Sequence, residues 1–169
     1  MTRSANLGFP RIGLNRELKK ALESYWKGES DAAALHATAA QLRARHWSLQ
    51  REAGIEVIPS NDFSLYDHML DTSVLVGAIP PRFAGIADPD ARYFAMARGT
   101  DAAPAMEMTK WFDTNYHFIV PELYRDQAFA LNARKPLDHF REARALGLVT
   151  RPVILGPVTF LSLAKAKDD

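Results

Sequence analysis

The sequence predicts an α/β fold: the N-terminal part, about half, of a (β/α)8 barrel of the TIM type, with residues 1–169 forming one partial domain. Three observations carry this expectation. Apolar positions recur at helical spacing in several segments, short apolar runs stand between them, and Gly- or Pro-punctuated loops separate the two kinds. Strand, loop and helix in alternation are the pattern of βα units around a parallel sheet. About four strands can be read here, whereas a closed barrel needs eight, typically within ~250 residues.

Residues 7–9 form the first expected strand. A helix follows over residues 15–27, with Asn15 as N-cap, Gly28 as its stop, and Leu18, Leu22, Tyr25 and Trp26 on one face. Arg16, Glu17 and Lys19 fall in its first turns, partly off the buried face. A second helix starts from a Ser30 N-cap with Asp31 in its first turn and runs to about residue 53, where Gly54 ends it. Its apolar stripe is Leu35, Ala39, Leu42, His46 and Leu49.

Residues 56–59 read as a short strand running into the polar loop Ser60-Asn61-Asp62, and residues 64–75 as a further helix. The stretch 80–104 is rich in Pro, Gly and Asp, with a helical piece at 91–97. Residues 129–132 are strand-like, 136–146 helical with Pro near the start and Gly147 at the end, and 153–155 a short strand before Gly156-Pro157 and an apolar helix start. Residues 165–169 should lie within a helix, so the domain reads as truncated.

Composition narrows the function. Apolar residues make up 47% and charged residues 24%, and the formal charge is +1, so no global field favours nucleic acid or membrane. The chain has no cysteine, which excludes thiolate metal sites and disulfides within it. His36, His46, His68, His117 and His139 are dispersed without ligand-type spacing, so no metal site is expected, and no residue is assigned a catalytic role. Residues 1–7 lack the apolar run of a signal peptide and no stretch approaches ~20 apolar residues, which makes the cytoplasm the expected compartment.

Three patches could carry chemistry. In Gly8-Phe9-Pro10-Arg11-Ile12-Gly13-Leu14-Asn15-Arg16-Glu17-Leu18-Lys19-Lys20 a Gly- and Pro-punctuated turn leads into a basic helix start. Helix N-terminal N–H groups favour anions, Arg adds a fork that matches a carboxylate, and Lys adds a point charge. The competing reading is a solvated helix face with Glu17 and Lys20 paired at three-residue spacing.

The second patch, residues 106–118, is crowded with aromatic and polar groups and has no clean period. It suits a pocket-lining loop in which Lys110 meets an anion, or equally an irregular core segment with its polar tips satisfied by backbone. Asp113 and His117 within it are expected to be structural. In the third, residues 59–68, Asp62 is expected to cap the next helix, and Asp67 and His68 to be ordinary surface residues. The turn Leu155-Gly156-Pro157-Val158-Thr159 is expected to serve backbone geometry.

Taken together, several blocks resemble the cobalamin-independent methionine synthase family. They are Leu7-Gly8-Phe9-Pro10-Arg11-Ile12-Gly13 with Arg16-Glu17-Leu18-Lys19, Glu23-Ser24-Tyr25-Trp26, Leu42-Arg43-Ala44-Arg45-His46-Trp47, Asp62-Phe63 with Tyr66-Asp67-His68, residues 107–117, and Leu155-Gly156-Pro157-Val158-Thr159. The blocks keep the family's order along nearly the whole chain. The resemblance implies a 5-methyltetrahydropteroyltri-L-glutamate–L-homocysteine methyltransferase built of two face-to-face (β/α)8 barrels. It implies a zinc held by Cys, His and Glu side chains of the C-terminal barrel, outside this chain, and no cobalamin. It also implies that Arg16, Glu17, Leu18, Lys19 and Lys110 contact the folate substrate.

A polyglutamate tail is a string of carboxylates, to which Arg16, Lys19 and Lys110 are suited. Glu17 and Leu18 are expected to act through backbone or shape, because a carboxylate would repel the tail. On this reading the fragment is inactive alone and partners the C-terminal barrel of its parent chain. Two rivals stay open: a free-standing anion-binding module, and an assembly domain whose open sheet edge pairs with a second copy.

Overall fold

A computed structural model describes residues 2–167. It is a mixed helix and strand structure in which two compact units can be distinguished. One comprises the described residues of Met1–Leu65 and Lys135–Val153, the other Tyr66–Arg134 and the described residues of Ile154–Asp169. Among the described residues no helix is long and apolar enough to cross a membrane.

The first unit is built on α1 (Glu17–Trp26) packed against α2 (Ala32–Glu52). Leu18 and Leu22 of α1 and Leu35, Ala39 and Leu42 of α2 are buried, as the helical spacing requires. The caps differ from expectation. Arg16, not Asn15, is the N-cap of α1, and Asp31, not Ser30, caps α2, its carboxylate accepting the Ala34 N–H at 2.8 Å.

Leu49 is 40% exposed, and Trp47 takes its place inside. Trp47 has the larger apolar surface and satisfies its indole N–H on the Pro59 carbonyl at 3.0 Å. Gly28, which turns the chain between the two helices, has φ 72.

The strands of this unit are β1 (Ile58–Ser60) and β5 (Thr150–Pro152), which pair in parallel. Both are displaced from the expected 56–59 and 153–155. Ser60 reads as loop because it is polar, yet it is fully buried, and the Thr150 hydroxyl donates to its oxygen at 2.9 Å. The expected strand at 7–9 is absent; only Ala5 bridges to Val57. The Gly8 and Phe9 N–H groups donate to the Asn6 and Asp62 side chains, which leaves them no ladder. Helix α6 (Arg134–Ala145) starts two residues before the expected 136–146 and ends one residue short of it.

In the second unit, α3 (His68–Leu75) starts four residues later than expected, because Asp67 caps it. Short α4 (Pro81–Ala84) and α5 (Pro89–Arg98) follow, and Leu70, Phe83, Met96 and Ile119 share one buried cluster. Strands β2 (Met108–Lys110) and β3 (His117–Ile119) form an antiparallel hairpin within the segment that showed no period. Strand β4 (Glu122–Leu123) pairs in parallel with β6 (Lys165–Ala166) beyond α7 (Pro157–Leu163).

Two further expectations fail here. Residues 129–132 form no strand: Ala130 and Asn132 donate to the Val76 and Leu75 carbonyls, which satisfy the end of α3, while Phe129 and Leu131 stay exposed. Lys165 and Ala166 are strand and not helix, with the Lys165 N–H on the Pro121 carbonyl and its ammonium on Glu107 at 2.7 Å. Lys167 is not helical either, its N–H donating to the Leu123 carbonyl, and the last two residues of that expected helix, Asp168 and Asp169, lie outside the described residues. Glu122, 3% exposed, is held by a two-pronged Arg82 guanidinium, which compensates the burial of its charge.

Candidate functional site

The approach to α1 is set by backbone constraints. Gly13 has φ 84, and a β-carbon there would strike the Glu17 carboxylate, so only glycine fits this turn. Asp62 anchors the segment upstream by accepting the Phe9 N–H at 2.9 Å; it therefore does not cap the following helix. Burial pushes the Asp62 carboxyl above its ordinary range, against the opposing pull of that N–H.

Arg16 then adopts left-handed geometry, φ 59 and ψ 38, which costs roughly 1 kcal/mol for a side chain of this kind. Its side chain is exposed and has no ion-pair partner among the described residues. Glu17 turns back toward the loop and accepts the Asn15 N–H at 2.9 Å. Its own backbone N–H, first, and the Asn15 groups hold the Glu17 carboxyl below its ordinary range. Leu18 is 0% exposed and anchors the turn in the core. Lys19 is exposed and makes a loose pair with Glu23 at 3.6 Å. Glu17, Thr38, Gln41, Leu42 and Arg45 line an open depression of about 180 Å³ beside this turn.

Lys110 lies in the second unit, so the five residues singled out in the sequence are not gathered within one unit. It closes β2 opposite His117, with an exposed side chain and no ion-pair partner among the described residues. The hairpin end carries Trp111, the left-handed Phe112 (φ 53) and Tyr116. His68 lies against Trp111 and Tyr116, at ring-centre distances of 5.0 and 5.5 Å.

Asp67 is not a surface residue. It is 1% exposed and accepts the Leu70 and Ile119 N–H groups and the Tyr116 hydroxyl. Its burial could not be read locally, because two of those partners lie about 50 residues away. Asp113 is exposed, and His117 turns Nδ1 toward the Asn115 carbonyl at 3.0 Å. Gly156 and Pro157 begin α7, which agrees with a role in backbone geometry.

The residues present do not fit a zinc site. There is no cysteine in the sequence, and among the described residues no three His, Asp or Glu side chains converge as ligands.

What the two cationic positions share chemically is an exposed positive charge with no ion-pair partner among the described residues, suited to carboxylate or phosphate oxygens. Comparison with known proteins places the chain in context. The family described as "Cobalamin-independent synthase, N-terminal domain" matches residues 3–169. A protein of Xylella fastidiosa (strain M23) named 5-methyltetrahydropteroyltriglutamate–homocysteine methyltransferase is 64% identical over 99% of this chain, which spans 23% of that protein. Proteins of the same name from Mesorhizobium japonicum and Acidithiobacillus ferrooxidans (strain ATCC 53993 / BNL-5-31) are 57% and 56% identical, and the chain spans 24% and 22% of their lengths. The chain thus covers about a quarter of the relatives it matches, and it belongs to the cobalamin-independent synthase N-terminal domain family.

Proposed function

We propose that this chain is the N-terminal portion of a methyltransferase that moves the methyl group of 5-methyltetrahydropteroyltri-L-glutamate to L-homocysteine, giving L-methionine, and that it supplies contacts to the folate polyglutamate tail. The observation that carries the reading is the pair of exposed cations without carboxylate partners, Arg16 and Lys110, in a chain 64% identical to a protein of that name. Arg16 offers a fork to one tail carboxylate, and Lys19 and Lys110 offer point charges. Glu17 and Leu18 serve by shape: the carboxylate is turned onto Asn15, away from a would-be anion, and the leucine pins the turn in the core.

In this reading the chain is part of a (β/α)8 barrel, supported by the parallel pairs β1–β5 and β4–β6 with helices between their strands. Its partner is the C-terminal barrel of the same parent protein, which holds the zinc. Neither zinc nor cobalamin binds this chain, which is inactive alone and belongs in the cytoplasm.

Calorimetric titration tests the proposal. Methyltetrahydrofolate triglutamate should bind more tightly than the monoglutamate, and the difference should shrink as salt screens the exposed charges. Lys19→Ala and Lys110→Ala should each reduce it. Equal affinity for the two folates would overturn the tail reading.

A further inference from the structure

Lys110 makes no ion pair among the described residues, so its placement depends wholly on the β2–β3 hairpin. One buried carboxylate hydrogen-bonds both α3 and the hairpin, beside the packing of Met69 with Phe118 and Trp111. Asp67 Oδ2 accepts the Leu70 N–H at 3.0 Å, which caps α3, and the Ile119 N–H at 3.0 Å, at the far end of β3 from Lys110. Asp67 Oδ1 accepts the Tyr116 hydroxyl at 2.7 Å, and the same hydroxyl lies 2.9 Å from His68 Nδ1. The Tyr116 carbonyl in turn accepts the Trp111 N–H at 2.7 Å, closing the hairpin one residue beyond the Lys110–His117 pair.

The two oxygens of Asp67 thus act at opposite ends of β3. Capping α3 needs only Oδ2. Oδ1, buried with the rest of Asp67, needs a donor of its own, and Tyr116, 38% exposed, supplies it from the hairpin end. The consequence is to fix the end of the hairpin that carries Lys110.

We infer that Asp67 and Tyr116 are positioning residues for Lys110, their hydrogen bond orienting the hairpin end that presents the ammonium to a carboxylate of the folate tail. The inference rests on the proposed tail-binding function. It explains why the donor that buried Asp67 Oδ1 needs comes from a part-exposed tyrosine at the end of the hairpin.

The test is a double-mutant cycle in this chain. Tyr116→Phe keeps the ring contacts and removes only the hydroxyl. Its affinity for methyltetrahydrofolate triglutamate should fall about threefold to tenfold, the scale of one hydrogen bond felt at one remove. Lys110→Ala should cost at least as much, and adding Tyr116→Phe to it should cost nothing more. Additive losses would overturn the inference.

Amide exchange supplies a readout independent of folate. Tyr116→Phe should speed exchange at Trp111 and its hairpin neighbours, with the α3 amides and the melting temperature little changed, and Asp67→Asn should reproduce the hairpin effect. If wild type fails to bind the triglutamate, or Lys110→Ala binds like wild type, the tail-binding function fails and the exchange data alone decide the tie. Unchanged hairpin exchange in Tyr116→Phe would then overturn it.

Discussion

The first turn of α1 and the β2–β3 hairpin each present an exposed cation, and they hold it by different means. At Arg16 the local chain does the work. A left-handed residue follows the Gly13 turn, Glu17 folds back on Asn15, and Leu18, two residues on, is buried. At Lys110 the work is done from a distance, by a buried Asp67 that reaches Tyr116 across 49 positions of sequence. A locally built turn should tolerate loss of any one side chain except its apolar anchor. A hairpin end hydrogen-bonded to one distant carboxylate should lose order when that carboxylate goes, while Phe118 and Trp111 keep their packing with Met69.

The comparison breaks most sharply at the two anchors. Leu18→Ala should cost about 3–4 kcal/mol in urea denaturation, since a fully buried leucine leaves a cavity. A loss under about 1 kcal/mol would mean that the turn does not depend on it. Asp67→Ala should cost about 2–3 kcal/mol, because two backbone donors lose their acceptor and α3 loses its cap. The two variants should differ in exchange: Asp67→Ala exposes the hairpin amides, and Leu18→Ala leaves them protected.

A third difference is in acid response. Burial, then the charges of Lys135, Arg43 and His36, pushes the His139 imidazole of the first unit down to about 2. The folded state therefore stays unprotonated where the unfolded chain takes up a proton. Stability should fall by roughly 1.4 kcal/mol per pH unit as pH drops below about 6.5, until the folded imidazole itself titrates. His139→Gln should flatten that slope in pH-dependent denaturation, and an unchanged slope would place the acid sensitivity elsewhere.

The smallest expected effect separates stability from binding at one residue. Arg16→Gly should raise stability by about 1 kcal/mol or less, as glycine accepts the left-handed backbone. It should also weaken triglutamate binding. Weaker binding together with lost stability would mean that the arginine side chain, and not the local backbone, holds the turn.

Much of the first region was legible in the sequence, because its signals are local. The spacing of Leu18 and Leu22 marks the buried face of α1, and Gly28 marks its end. The misplaced caps are small errors of the same kind, since Asn15, Ser30 and Asp31 are all plausible caps and only geometry chooses among them. The hairpin was illegible: Met108, Thr109 and Lys110 are all exposed, so β2 has no alternation to read. The same limit hid β1 and β5, where a buried Ser60–Thr150 hydrogen bond replaces the apolar pattern that marks a strand.

By itself the sequence determined the helices with one apolar face, the turns at Gly13 and Gly28, the absence of thiolate chemistry and, through blocks in order along the chain, the family. Tertiary structure alone decided which polar residues go inside. Asp67, Glu122 and Ser60 are buried because Tyr116 and Ile119, Arg82, and Thr150 meet their hydrogen-bonding demand. A buried polar group is costly until its partner arrives, and here those partners lie roughly 40 to 90 residues away. No local pattern could announce them.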